Sequence, residues 1–158
     1  MVATVLSCKK SEPELTPAQK IVGKYNLTAS TGTTGSITKD YLLTRPACAA
    51  DDISEFATDG KFIISEGATS CTPPRTFGVS RTYVLSPDAK TLTITSTNNS
   101  NGVVRTDIYT VGELTGSILK LSISITENGP NGTIIPVMIS LTLTKIYYFL
   151  VQKLKKVA

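Results

Sequence analysis

The sequence contains no histidine and no tryptophan. Without histidine it lacks the usual general base near neutral pH and the commonest metal ligand. A Ser-His-Asp hydrolase is therefore excluded, and no Ser-Lys signature takes its place. Zinc is disfavoured further because no Cys-x-x-Cys pair is present. Any aromatic wall must be built from the six Tyr and four Phe. Charge is scarce as well: 18% of residues are charged against 41% hydrophobic, with a net charge of +4, a balance that suits a folded domain and not a disordered chain. Much of the basic excess sits in Lys153, Lys155 and Lys156, and the remaining Lys and Arg are scattered among Thr and Ser. No basic stripe is interleaved with aromatics, so nucleic acid is not an expected partner. There is no phosphate cradle: Gly32-Thr33-Thr34-Gly35 has neither a Gly-Lys-Ser/Thr ending nor a helix after it, and reads as a hairpin or rim loop.

What is abundant is alternation. Leu119, Leu121, Ile123 and Ile125 fall on one face, with Lys120, Ser122, Ser124 and Thr126 on the other. Ile135, Val137, Ile139, Leu141 and Leu143 repeat the pattern, as do Leu92 and Ile94 among Thr91, Thr93 and Thr95. A period of two with one dry and one wet face marks antiparallel sheet. Turn chemistry separates the runs, at Asp59-Gly60 (read as a two-residue hairpin turn), Ser86–Lys90, Asn98–Gly102 and Asn128–Gly132. Strands are expected near 23–31, 37–45, 52–58, 61–66, 77–85, 91–97, 103–111, 117–127 and 134–145. Eight or nine short strands joined by short loops fit an up-and-down barrel or a sandwich. Ahead of them, Thr16-Pro17 places an N-cap residue before Pro at the first helical position, which suits a short helix.

At the start, Val5-Leu6-Ser7-Cys8 resembles a lipobox, in which the signal peptide is cut before a cysteine that then carries lipid on its sulfur. Seven residues are too few for a full signal-peptide core, so residues 1–8 read as a signal-peptide remnant and 9–15 as a linker, with the domain over 16–158. Setting Cys8 aside leaves Cys48 and Cys71, an even pair that is a candidate disulfide in an oxidising compartment, or else two separate buried thiols. The end changes character. Ile146, Phe149, Leu150, Leu154 and Val157 follow helical spacing, with lysines in the last turn. This stretch is too short to span a bilayer. It reads as a helix packed on the barrel, a membrane-surface helix or a continued strand.

These residues resemble the lipocalin-like lipoproteins of Bacteroidetes-type bacteria. The resemblance rests on Leu6-Ser7-Cys8-Lys9-Lys10, on Ile21-Val22-Gly23-Lys24-Tyr25-Asn26-Leu27, on the block Cys48-Ala49-Ala50-Asp51-Asp52 with Phe56, Asp59-Gly60 and Cys71, and on Leu141-Thr142-Leu143-Thr144-Lys145. Tyr25 stands where that family usually carries tryptophan. The resemblance implies a small antiparallel up-and-down barrel of about eight strands, exported and lipid-anchored at the outer membrane or cell surface, with the periplasmic face as the alternative. It also implies that a basic residue of the last strand, here Lys145, covers the first-strand aromatic, here Tyr25.

Chemistry at a site is sparse. Asp51-Asp52, with Glu55 and Asp59 nearby, are paired carboxylates, but adjacent strand residues point to opposite faces and cannot clasp a sugar between them. Solvated carboxylates at the start of a strand are the plain reading. A calcium site from Asp51, Asp52 and Asp59 is the alternative, without EF-hand spacing. No catalytic residue, metal or cofactor is expected. A small barrel is either filled or hollow enough for one ligand, and Tyr25, Tyr41, Phe56, Phe62, Phe77, Tyr83 and Tyr109 are the large side chains able to line it. The expected function is binding of a small hydrophobic ligand by a lipid-anchored envelope protein. The alternative is a solid-core barrel acting as a structural or interaction module, whose loops, such as 30–36 and 96–102, meet other envelope proteins or glycans.

Overall fold

The structure is a computed structural model that describes residues 14–73 and 78–147. A five-residue helix, α1 (Pro17–Ile21), leads into nine strands: β1 (Gly23–Thr34), β2 (Ile37–Asp40), β3 (Ile53–Phe56), β4 (Phe62–Ser65), β5 (Val79–Leu85), β6 (Thr91–Asn98), β7 (Val104–Leu114), β8 (Ile118–Asn128) and β9 (Ile134–Lys145). Every pairing is antiparallel, and the order β4-β3-β1-β9-β8-β7-β6-β5 bends into a nearly closed up-and-down barrel. The eight positions hold nine strands because β2 and β3 share one side of β1. β2 pairs with Thr31–Thr34 and β3 with Gly23–Asn26.

The expected strands are present, with three corrections. The span 37–45 is strand only as far as Asp40. The chain then turns, with Leu42 N–H donating to the Asp40 carboxylate and Thr44 Oγ1 to the Tyr41 carbonyl. β1 runs on through Gly32–Thr34, so the hairpin tip is shorter than the loop 30–36. The Asp59-Gly60 hairpin is longer than two residues. Ala57 N–H donates to the Lys61 carbonyl and Gly60 N–H back to the Ala57 carbonyl, with Gly60 at φ +81°. Asp59 occupies a turn position, and glycine takes the left-handed one that ends a three-residue loop. The C-terminal segment expected to be helical lies outside the described residues beyond Tyr147, as do Cys8 and Phe77.

Two bulges set which residues point inward. The register of β1 on β9 shifts between Leu27 and Ala29, so that Leu27 and Ser30, three apart, both face the interior. A second shift between Val111 and Glu113 does the same for Val111 and Leu114 on β7. One end of the barrel is filled by Ile21, Tyr25, Phe56, Leu92 and Leu119, each almost wholly buried. Phe56 is the hub of this end. Its ring meets Tyr25 edge-on at 5.7 Å, Tyr83 edge-on at 5.1 Å and Phe62 at 4.8 Å. Such pairs contribute roughly 0.5–1.5 kcal/mol each beyond the area they bury.

The same end is sealed by Lys145. It pairs with Tyr25 across β1 and β9, and its ammonium lies 5.3 Å from the centre of the Tyr25 ring. It donates to the Lys20 carbonyl (2.8 Å) and the Val22 carbonyl (2.7 Å), which close α1. Tyr25 Oη donates to the Lys20 and Ile21 carbonyls at 3.0 and 2.9 Å. Gly23 makes room for this: a Cβ there would lie 2.9 Å from Lys145 Cε, and its φ of +143° disfavours any other residue. Thr16 and Gln19 cap the opposite end of α1 reciprocally, as the Thr16-Pro17 pattern predicts.

Two predictions follow from this sealed end. Lys145→Met keeps the stem but strands two backbone acceptors, so it lowers unfolding free energy in urea titrations by about 1–3 kcal/mol. The second concerns alkali. Burial pushes the phenols of Tyr25, Tyr83 and Tyr109 above their ordinary range. A folded value raised above the unfolded one gives stability that is intact below about pH 10 and lost as pH climbs beyond it. Tyrosinate absorbance therefore rises in step with loss of β-sheet circular dichroism. Early, independent ionisation of these three residues in a still-folded barrel would contradict it.

Candidate functional site

The opposite half of the barrel is not filled. Here the inward residues leave a cavity of about 220 Å³, open to solvent, walled by Leu27, Ile64, Ile94, Leu121, Leu141 and Leu143 together with Phe56, Phe62 and Tyr109. Its polar lining is Ser54 and the ion pair Arg45–Asp52, 3.0 Å from Nη2 to Oδ2. The cavity exists because the inward positions beyond the aromatic cluster around Phe56 are aliphatic or small. Above Phe56 the inward positions are Ser54 on β3 and Asp52 just before it, both smaller.

Of the seven aromatic residues expected to line a ligand space, Phe56, Phe62 and Tyr109 do so. Tyr25 does not; it belongs wholly to the sealed end. Tyr83 packs on Phe56 and donates to the Ala57 carbonyl at 2.8 Å, so it holds the β3–β4 turn instead of facing the cavity. Tyr41 lies across Gly32 and donates to Glu127 Oε1 at 3.4 Å. It walls a separate cleft of about 280 Å³ between the β1–β2 hairpin and the β8–β9 turn. The aliphatic wall was visible as the dry faces of β6, β8 and β9. Arg45 was not, since it sits in a turn with no periodic signal.

The acidic cluster does not converge. Asp52 is 6% exposed and faces inward to Arg45. Asp51 turns the other way and accepts from Thr69 N–H at 2.9 Å, which holds its carboxyl below the usual range. Asp59 pairs with Lys61 at 2.6 Å. The reading of solvated carboxylates is thus corrected for Asp52, which is buried and paired because strand alternation carries it inward. Among the described residues no three His, Cys, Asp or Glu gather as a metal site.

Cys48 and Cys71 form a disulfide, with Cα atoms 5.0 Å apart. Cys48 lies in the 3-10 turn Ala47–Ala49, within the insertion between β2 and β3 that also carries Arg45 and Asp52. The bridge ties this insertion to the chain beyond β4, and so braces one wall of the cavity.

The barrel closes incompletely between β4 and β5. Lys61 and Thr82 form an isolated bridge, and Tyr83 N–H donates to the Gly60 carbonyl at 2.8 Å. Beyond it the strands diverge around an opening of about 290 Å³ that includes Val79, Arg81, Phe62 and Ile64, the last two shared with the inner cavity.

Comparison with known proteins finds no match: no protein-family model fits the chain, and no curated protein or solved structure is significantly similar to it.

The disulfide carries a prediction. It closes a loop with a sequence separation of 23 residues. Paired Cys48→Ser and Cys71→Ser substitutions lower stability by about 3 kcal/mol. The signature is a lower urea midpoint with the far-ultraviolet spectrum unchanged before the transition.

Proposed function

We propose that this chain is a lipocalin-like binding module of the bacterial cell envelope, anchored through lipid on Cys8, that holds one small hydrophobic ligand inside its barrel and catalyses no reaction. The observation that carries the reading is the half-filled interior: one end packed around Phe56, the other hollow, apolar and open. At about 220 Å³ the space falls below the ~300 Å³ typical of drug-sized pockets, which favours a slender ligand over a bulky ring system. The sealed end supports the same reading, since a ligand can enter from one direction and stop against a floor. Lipocalin-like architecture is consistent with the barrel and with Lys145 lying over Tyr25, and envelope residence with the disulfide, which persists in oxidising compartments.

A second reading is a structural or interaction module. It is favoured by apolar side chains on the outer face, where Val84, Ile108 and Met138 are 67%, 60% and 46% exposed.

The test is intact-mass spectrometry of the protein extracted gently from its own membranes. The expected result is a diacyl or triacyl mass increment on Cys8 and a second, dissociable small-molecule adduct. Leu121→Trp, which fills the cavity, removes the adduct and keeps the increment. An unmodified Cys8 would reject the anchor. A protein that carries no adduct and takes up no added 1-octanol would reject the binding function in favour of the second reading.

A further inference from the structure

The inner face of the barrel changes polarity abruptly on β5, β6 and β7. Cross-strand register stacks its inward residues in rows. The row nearest the sealed end is Leu85, Leu92 and Tyr109, and the next is Tyr83, Ile94 and Asp107. The third row is Arg81, Ser96 and Arg105. Of this row Arg81 borders the opening beside the apolar cavity, Ser96 is its cross-strand neighbour, and Arg105 is 71% exposed at its side chain.

Among the described residues, the charged side chains lining the cavity and the opening beside it are Arg45, Asp52, Lys61 and Arg81. Asp52 meets Arg45 at 3.0 Å, and Lys61 meets Asp59 at 2.6 Å. Arg81 has no ion-pair partner among the described residues. It is half-buried and shares the inner face with Tyr83 and Leu85. It also borders the opening between β4 and β5, beside Phe62 and Ile64, which wall the cavity. Among the described residues lining these spaces, Arg81 is thus the cation without an ion-pair partner, next to an apolar space too small for a bulky ligand.

We propose that the barrel selects a monocarboxylate amphiphile, with a short acyl tail in the cavity and its carboxylate on Arg81 and Ser96. This inference rests on the proposed ligand-binding function and names the class of ligand. A single surplus charge matches a monoanion. The planar guanidinium offers two parallel N–H donors that suit a carboxylate, and Ser96 supplies a hydroxyl donor in the same row. The tail stacks toward Ile94, Leu121 and Leu141, where burial of each methylene adds affinity. A cationic head would meet Arg81 as a like charge. An uncharged head would leave it unanswered.

The experiment is isothermal titration calorimetry of the full chain with octanoate and with 1-octanol, at neutral pH and low salt. The expected result is binding of both, with octanoate tighter by about tenfold, since a charge-assisted bond exceeds a neutral one by about that factor. Added salt narrows the gap. Arg81→Gln erases the preference by weakening octanoate far more than 1-octanol, while Arg81→Lys keeps part of it. Equal binding of the two probes overturns the carboxylate assignment but leaves the apolar-ligand function standing. Binding of neither overturns both. A preference that survives in Arg81→Gln overturns the role of Arg81. Circular dichroism checks that this variant is folded; if it is not, persistence of the full preference in Arg81→Lys or at high salt overturns the assignment.

Discussion

The contact on which the rest of the barrel depends is Lys145 against Tyr25. An ammonium placed among backbone carbonyls and over an aromatic face is costly to desolvate, and burial holds its pKa below the ordinary lysine value. It is tolerated because two carbonyls and the ring answer it. Those carbonyls belong to the end of α1, so one side chain of β9 fixes the helix, the start of β1 and the closing residue of the last strand together. Main-chain bonds reinforce the junction: Lys145 N–H reaches the Ser117 carbonyl and Ile146 N–H the Lys24 carbonyl, both at 2.8 Å. A barrel sealed in this way at one end needs no large side chains at the other.

That asymmetry decides where function can reside. Tyr25, Phe56, Phe62 and Tyr83 gather around one hub, so the aromatic volume of the interior is concentrated at the floor and the turn above it. The far half is walled by leucine and isoleucine and, higher still, by arginine, serine and aspartate. The bulges on β1 and β7 contribute by adding inward positions without lengthening the partner strand, which curves the sheet around the space. The disulfide holds the insertion between β2 and β3, and with it the Arg45–Asp52 pair.

Much of the fold was legible in the sequence, because alternation is a local property. Ile135 to Leu143 and Leu119 to Ile125 announce dry faces whatever they pair with, and turn chemistry marks the gaps. Parity made Cys48 and Cys71 a candidate disulfide against two separate thiols, and the contact of Lys145 with Tyr25 was expected from the resemblance. Local rules failed where the chain stops obeying one period. Residues 41–45 alternate weakly and turn, and Asp59-Gly60 looks like a two-residue turn although its hydrogen bonds enclose three. Asp52 looks like a loop carboxylate, but the strand that begins after it carries it inward.

The candidate site was less legible for a different reason. Which aromatics line a cavity depends on the end of the barrel they occupy, and that depends on register. Tyr25 and Tyr109 have the same composition and similar strand contexts, yet one is floor and the other is wall. The row of Arg81, Ser96 and Arg105 makes the point more sharply. Each lies on a different strand, none forms a motif with its neighbours in sequence, and Arg105 is separated from Asp107 by one residue, so it reads as a local surface pair. Only two successive registers, Arg81 with Ser96 and Ser96 with Arg105, place them side by side. Shifting either register by one residue would turn the row outward into solvent. The dry faces of β6, Leu92 and Ile94, hold that register because they must stay inside. The placement of Arg81 beside the β4–β5 opening is thus set by the packing beneath it.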